Sequence, residues 1–241
     1  MCTVSYVPLE RGFILTSNRD ELAGRPASLP PDFYEMSQGF SLYYPKDPAG
    51  KGSWIAASED ERIVCLLNGA FRPHPHLPPY DRSRGLVALE AFQYETAFEF
   101  YQKVNLKDVE PFTMVMVWAG LLFEFRWNGK EKHFISLPNQ PHLWASATLY
   151  KEEIITLKRN WLNEYLETNQ QPSQADMVNF HEYGGIPDLT NGMRISRSNG
   201  LQTLSITSFQ VSKHEVSVLQ NTFTSDVFED SWRTQLADEY F

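Results

Sequence analysis

From Met1 to Arg25 the chain reads MCTVSYVPLERGFILTSNRDELAGR, and this stretch decides how the rest is arranged. Thr3 to Val7 is β-branched and aromatic, Pro8 to Gly12 has turn composition, and Phe13 to Ser17 is strand-like again. Two such runs around a short turn predict an antiparallel hairpin. With the turn centred near Glu10, residues whose numbers sum to about 20 face each other. That register sets Cys2 against Asn18 and leaves Arg19 and Asp20 just past the strand end. A thiol, an amide, a guanidinium and a carboxylate are thereby predicted to converge by local geometry alone.

A methionine ahead of a residue as small as cysteine is commonly trimmed, and loss of Met1 would leave a thiol and a free amine on Cys2. A free α-amine titrates near about 7.7–8.0 and a thiol near about 8.5, so each needs roughly one unit of depression to be useful at neutral pH. Arg19 alongside would lower both. The amine then serves as general base for its own residue's thiol, and Asp20 orients and charge-balances the pair as the third member of a triad does. The same residues also have a plainer reading. An early strand cysteine is commonly a buried small hydrophobe, and an Arg–Asp pair is commonly a structural or surface ion pair. Adjacent residues on an extended backbone also point to opposite sides, which separates Arg19 from Asp20.

The Met1-Cys2-Thr3 start and the tetrad Asn18-Arg19-Asp20-Glu21 followed by Arg25-Pro26 carry a resemblance. So do Gly52-Ser53-Trp54-Ile55, Leu67-Asn68, Arg84-Gly85 and Trp144-Ala145-Ser146-Ala147. Together they resemble the NRDE family, which includes the transport and Golgi organisation 2 proteins; the likeness covers most of the chain and thins after about residue 170. That family is related to N-terminal-nucleophile cysteine hydrolases such as penicillin V acylase and bile salt hydrolase. The resemblance implies an α+β fold, a four-layer αββα sandwich of two mainly antiparallel sheets. It implies Cys2, Arg19, Asp20 and Asn68 as catalytic residues, and Asn18, Glu21, Arg25, Trp54 and Ser146 as substrate-binding. One departure is Ser146, which stands where the acylases carry an asparagine and has a single hydrogen to donate. Haem or lipid handling has also been proposed for members of the family.

Composition bounds the alternatives. A chain of 241 residues that is 42% hydrophobic can bury a full core. No Gly/Ser-rich or Pro-rich linker interrupts it, so residues 1–241 are expected to form one domain. The formal charge of −9 argues against nucleic acid or an anionic membrane surface as partner. The two cysteines, Cys2 and Cys65, give neither a disulfide framework nor a metal-ligand spacing, which suits the cytoplasm. Cys2 to Leu15 alternates like a strand and contains Glu10 and Arg11, unlike a secretory signal. The longest uncharged run, Pro111 to Phe123, is short of the roughly 18–20 residues a membrane span requires.

Leu22 to Asp47 reads as an irregular loop with a short strand at Phe40 to Tyr44. Ser53 to Ser58 and Arg62 to Leu67 form a hairpin, with Cys65 in an apolar run that places it in the core rather than beside Cys2 as a redox partner. Asn68 closes that strand ahead of Gly69, either as a turn residue or, by the resemblance, as an oxyanion donor. His74 and His76, separated by proline and with no nearby carboxylate beyond Asp81, read as a solvent-facing loop and not a metal site.

Ser83 to Tyr101 carries apolar residues at helical steps, broken near Gln93 to Glu95. Phe112 to Trp118, Leu122 to Trp127, His133 to Leu137 and Leu143 to Ala147 read as a four-stranded meander. Leu149 to Thr168 is an amphipathic helix with Ile154, Leu157, Trp161 and Tyr165 on its apolar face, widened by Leu162 and Leu166. A Ser173-x-x-Asp176 start opens a further helix. Tyr183 to Gly200 is loop-like, Leu201 to Phe209 and His214 to Leu219 form the last hairpin, and the acidic tail from Asp226 to Glu239 is expected to dock.

The leading functional reading is an amide hydrolase or acyltransferase using Cys2 on a small molecule, with no cofactor. The alternatives are a carrier of haem or an acyl, lipid-type ligand on the same scaffold, and an interaction domain that inherited it.

Overall fold

A computed structural model describes residues 3–37, 39–212 and 215–223. Cys2, His214 and the acidic tail therefore lie outside the described residues. The leading hairpin forms from β1 (Thr3–Pro8) and β2 (Phe13–Leu22). Val4 faces Ser17 and Pro8 faces Phe13, so paired numbers sum to 21. The turn sets this register: Leu9 N–H donates to the Gly12 carbonyl at 3.0 Å. Gly12 has φ +100°, and a Cβ there would stand 1.8 Å from the Val211 carbonyl oxygen, so no larger residue fits.

The register is one residue away from the predicted one, and such a shift exchanges which residues share a face. Val4 and Tyr6 now lie with Phe13 and Leu15 between the two sheets, while Val7 and Ile14 face outward toward helices. Arg19 takes the parity of Leu15, and Asn18 and Asp20 take that of Ile14.

Ten further strands complete two sheets in which every adjacent pair is antiparallel. They are β3 (Leu29–Glu35), β4 (Ser41–Lys46), β5 (Ile55–Ser58), β6 (Ile63–Asn68), β7 (Phe112–Trp118), β8 (Leu121–Trp127), β9 (Lys132–Leu137), β10 (His142–Ala145), β11 (Leu201–Ser212) and β12 (Glu215–Thr222). The five-stranded sheet runs β10-β1-β2-β11-β12, and the seven-stranded sheet runs β3 to β9 in order. β6 shows why the apolar runs are continuous. Its Val64 and Leu66 enter one core and its Ile63, Cys65 and Leu67 another, so both faces are buried.

Helices cover the outer faces. α1 (Arg84–Glu90), a 3-10 turn (Ala91–Gln93) and α2 (Ala97–Lys103) pack Val87, Phe92 and Phe100 on the seven-stranded sheet. α3 (Glu152–Thr168) and α4 (Gln174–Tyr183) bring Leu162, Met177 and Phe180 to the five-stranded one. Side chains of this size contribute about 1.5–3 kcal/mol each when fully buried. Ser83 and Thr96 cap α1 and α2, and Ser173 with Asp176 closes a capping box on α4. The layers are helix, sheet, sheet, helix: the expected αββα sandwich.

Three local expectations are corrected. Leu22 to Asp47 is not an irregular loop but contains the β3–β4 pair, with Pro30 and Pro31 on an edge strand, where a missing N–H costs no ladder bond. The last strand of the expected meander leaves its sheet and pairs with β1, Ala145 against Thr3. The buried face of α3 is Ile155, Lys158 and Leu162, whereas Leu157 is exposed; a lysine inside the stripe disguised the true face. No helix among the described residues is long and apolar enough to cross a membrane.

Candidate active site

A cleft of about 500 Å³ opens where the C-terminal ends of β2, β4 and β6 meet the start of α1. Its existence depends on two glycines. The backbones of Gly52 and Gly85 approach so closely that a Cβ on Gly52 would stand 2.4 Å from the Gly85 carbonyl carbon. Ser53 N–H donates to the Gly85 carbonyl at 3.4 Å, which ties the segments that carry Trp54 and Arg84 together at the cleft. This explains physically why Gly52-Ser53-Trp54 and Arg84-Gly85 both occur.

Arg19 enters the cleft from β2. Its side chain is 3% exposed, its guanidinium carbon lies 5.0 Å from the centre of the Trp54 ring, and its Nη2 is 3.8 Å from Asp47 Oδ2. Asp47 also accepts from Arg25 Nη2 at 2.5 Å, and Arg25 Nε lies 3.9 Å from Glu21. Burial pushes the Asp47 carboxyl up, but the Arg25 hydrogen bond and charge, with Arg19 behind them, hold it below the usual carboxylate range. In a second group on the cleft Arg84 pairs with Glu110 at 3.1 Å, and His74 and His76 each approach the same carboxylate at 3.2 Å. Burial again works against ionisation, and Arg84 with the two histidines outweighs it. The expectation that the histidines have no carboxylate beyond Asp81 is thus corrected: Glu110, distant in sequence, lies between them. No cluster of His, Cys, Asp and Glu among the described residues is arranged to hold a metal.

Asn18 and Asp20 point the other way, into the helical layer. The Asn18 amide donates to the carbonyls of His181 and Met193 at 3.1 and 2.9 Å. Its oxygen is therefore the acceptor for His181 Nδ1–H, a short contact. That assigns the proton to Nδ1, so His181 Nε2 accepts from the Ser5 hydroxyl at 2.7 Å. Burial, then the charge of Lys158, pull His181 down to about 3. Asp20 Oδ1 accepts from the Thr203 hydroxyl at 2.7 Å, and Oδ2 has no hydrogen-bond partner among the described residues. Burial raises Asp20, with the Thr203 bond and Lys158 opposing. Lys158 donates to the Gly192 carbonyl at 2.6 Å beneath the Tyr150 ring, and burial pulls it down to about 7.

The structure thus brings Arg19, Glu21, Arg25, Trp54 and Asn68 together around one cleft and sets Asn18 and Asp20 on the opposite face of the sheet. Ser146 is buried behind Asn68: its hydroxyl donates to the Asn68 carbonyl at 2.7 Å and contacts Thr148 Oγ1 at 2.9 Å. Its single hydrogen is committed to holding the Asn68 backbone. Sequence reasoning missed Asp47, Arg84 and Glu110 on the cleft and Lys158 and His181 behind the sheet. The signal for the last two was present. Lys158 falls between Ile155 and Leu162, and His181 follows Gln174, Met177 and Val178, each completing an apolar helical stripe.

The fold is similar to that of several solved hydrolases. An N-acylethanolamine-hydrolyzing acid amidase ortholog from Caenorhabditis elegans aligns with TM-score 0.57 at 10% identity, covering 86% of this chain and 92% of that one. A cysteine-to-alanine mutant of conjugated bile acid hydrolase from Clostridium perfringens aligns with TM-score 0.56 at 5% identity, covering 92% and 96%. An arginine-to-leucine variant of the same hydrolase aligns with TM-score 0.55 at 6% identity, covering 92% and 97%. At these identities the likeness is one of fold. No curated protein matches the sequence. The family model for Transport and Golgi organisation 2 matches residues 1–218, so the chain belongs to that family.

Proposed function

We propose that the chain is an N-terminal-nucleophile hydrolase or acyltransferase that uses Cys2 to cleave an amide (carbon–nitrogen) or related acyl bond of a small molecule held in the Arg19–Asn68 cleft. The observation that carries this reading is the parity of the first hairpin. Val4 and Tyr6 face between the sheets, and the same side of β2 presents Arg19 to the cleft. Continued to Cys2, that parity would put its thiol on the Arg19 side of the hairpin, where a guanidinium favours both the thiolate and the neutral amine. The fold likeness to an amidase and a bile acid hydrolase supports the reaction class, and a reduced cytoplasmic setting suits the nucleophile.

Once Met1 is removed, the α-amine accepts the thiol proton and Sγ bonds to the substrate carbonyl carbon. The carbon–nitrogen bond breaks and the leaving amine departs with that proton. Water then cleaves the thioester, releasing the acid and restoring the thiol, or an acceptor amine takes the acyl group instead. Asn68, held from behind by Ser146, donates its side-chain amide to the oxyanion. Asp20, on the far face of β2, is assigned the charge-balancing role.

Intact-mass analysis of protein made without an N-terminal tag, followed by exposure to a β-lactone, tests this. The expected result is loss of Met1, one acyl adduct on wild type, none on Cys2→Ala, and formation slowed by about 10²–10³ in Asn68→Ala. A retained methionine, labelling at Cys65, or no adduct on protein with a verified N-terminal Cys2 would sink the proposal.

A further inference from the structure

We infer that the cleft takes a compact zwitterionic amide of the dipeptide class, and not an amide of a long acyl chain or a steroid; this rests on the proposed reading that the cleft is the substrate site. The warrant is the charge pattern of its walls. Arg19, Arg25 and Arg84 are matched by Glu21, Asp47 and Glu110, three guanidiniums against three carboxylates. They are arranged in two groups. On the β2–β4 wall Asp47 and Glu21 gather around Arg25, with Arg19 beneath at 3.8 Å from Asp47. On the α1 wall Glu110 pairs with Arg84 at 3.1 Å.

A lining of this kind discriminates by charge. A methylene contributes about 0.8 kcal/mol only when it moves from water to an apolar surface. The apolar side chains lining the cleft are Trp54, Leu66 and Leu22. A longer chain would strip water from paired ions without replacing its hydrogen bonds, which is unfavourable. Three guanidiniums and three carboxylates make the lining neutral, and a ligand with one net charge unbalances it. A zwitterion keeps the balance: its carboxylate exchanges onto Arg84 in one group and its ammonium onto Glu21 and Asp47 in the other, each making charge-assisted hydrogen bonds. A volume of about 500 Å³ suits a small molecule. Asp47 and Glu110 are both held below the usual carboxylate range, so these charges persist at neutral pH.

Titration calorimetry on the Cys2→Ala protein separates this inference from the chemistry, because binding then needs no nucleophile. Alanylglycine is expected to bind saturably. Acetylating its amine or amidating its carboxylate should each weaken binding about tenfold or more, the scale of one lost charge-assisted bond. Glu21→Gln should blunt the penalty for losing the amine, and Arg84→Met the penalty for losing the carboxylate, with melting curves verifying that both variants fold. Tighter binding of N-decanoylglycine or N-decanoylethanolamine than of alanylglycine would overturn the inference, as would no alanylglycine binding at millimolar concentration. A positive result with no β-lactone adduct on wild type would leave the ligand class standing and remove the hydrolase reading; an adduct without dipeptide binding would do the reverse.

Discussion

Consecutive residues of one strand, Asn18, Arg19 and Asp20, serve two polar regions built on opposite principles. On the cleft side, opposite charges overcome burial: Asp47 and Glu110 stay below the usual carboxylate range because guanidiniums face them. On the helical side burial wins, raising Asp20 and lowering Lys158 to about 7 and His181 to about 3. Ion pairs beside open space can exchange partners with a ligand. A buried network in which Asn18 and Lys158 bond backbone carbonyls and His181 and Asp20 bond side chains instead locks geometry. The tetrad Asn18-Arg19-Asp20-Glu21 therefore combines two jobs in alternation: Arg19 and Glu21 address the cleft, while Asn18 and Asp20 fasten the strand to α4 and its neighbours.

The largest expected effect that would break this contrast comes from Asn18→Ala. It removes both donors to the His181 and Met193 carbonyls and the acceptor for His181 Nδ1. Leaving buried groups unsatisfied costs about 1–3 kcal/mol each, so the loss is expected near 4–6 kcal/mol and the melting temperature to fall by about 10–20 °C. An unchanged melting temperature with abolished β-lactone labelling would move Asn18 to the cleft side.

Next in size is the acid response of the helical side. His181 binds a proton near 6.5 when unfolded and near 3 when folded. Between those values the unfolded state holds more protons, so stability falls as pH drops from 6.5 toward 3 and the loss is complete near 3. At about 1.4 kcal/mol per unit the group accounts for about 2 kcal/mol by pH 5. In His181→Gln the fall in melting temperature between pH 7 and pH 5 should shrink accordingly. An acid response of undiminished size would show that another group controls it.

How much of this could be read in advance depends on the range of the interaction. The hairpin, the β6 run and the capping box were accessible because turn chemistry and apolar patterning are local. The sandwich followed from the resemblance, since nothing local says which sheet β10 joins. The register error was one residue at one turn, yet it reversed the faces of Asn18 and Arg19, because the side-chain period of a strand is two. Glu110 was invisible for another reason: it lies 34 residues beyond His76 and reaches it only through the packing of β6 on β7. Lys158 and His181 were hidden by the habit of assigning charged residues on a helix to water, which fails where Asp20, Tyr150 and backbone carbonyls receive them.

The smallest expected change in stability, and the sharpest test of the cleft side, is Arg19→Met. Methionine keeps an unbranched stem against Trp54 and removes only the cation, and Asp47 retains Arg25 at 2.5 Å as its partner. The stability cost should stay near 1 kcal/mol, a shift of about 2–4 °C for a domain of this size. Reactivity should respond much more. If the proposed pairing of Cys2 with Arg19 holds, loss of the guanidinium removes a charge that favours the thiolate, so the pH midpoint for Cys2 alkylation should rise by about one unit or more, while the midpoint for Cys65 in the unfolded chain stays put. A melting temperature lowered by more than about 10 °C with an unmoved alkylation midpoint would place Arg19 among the structural pins. The two faces of the strand would then no longer differ in kind.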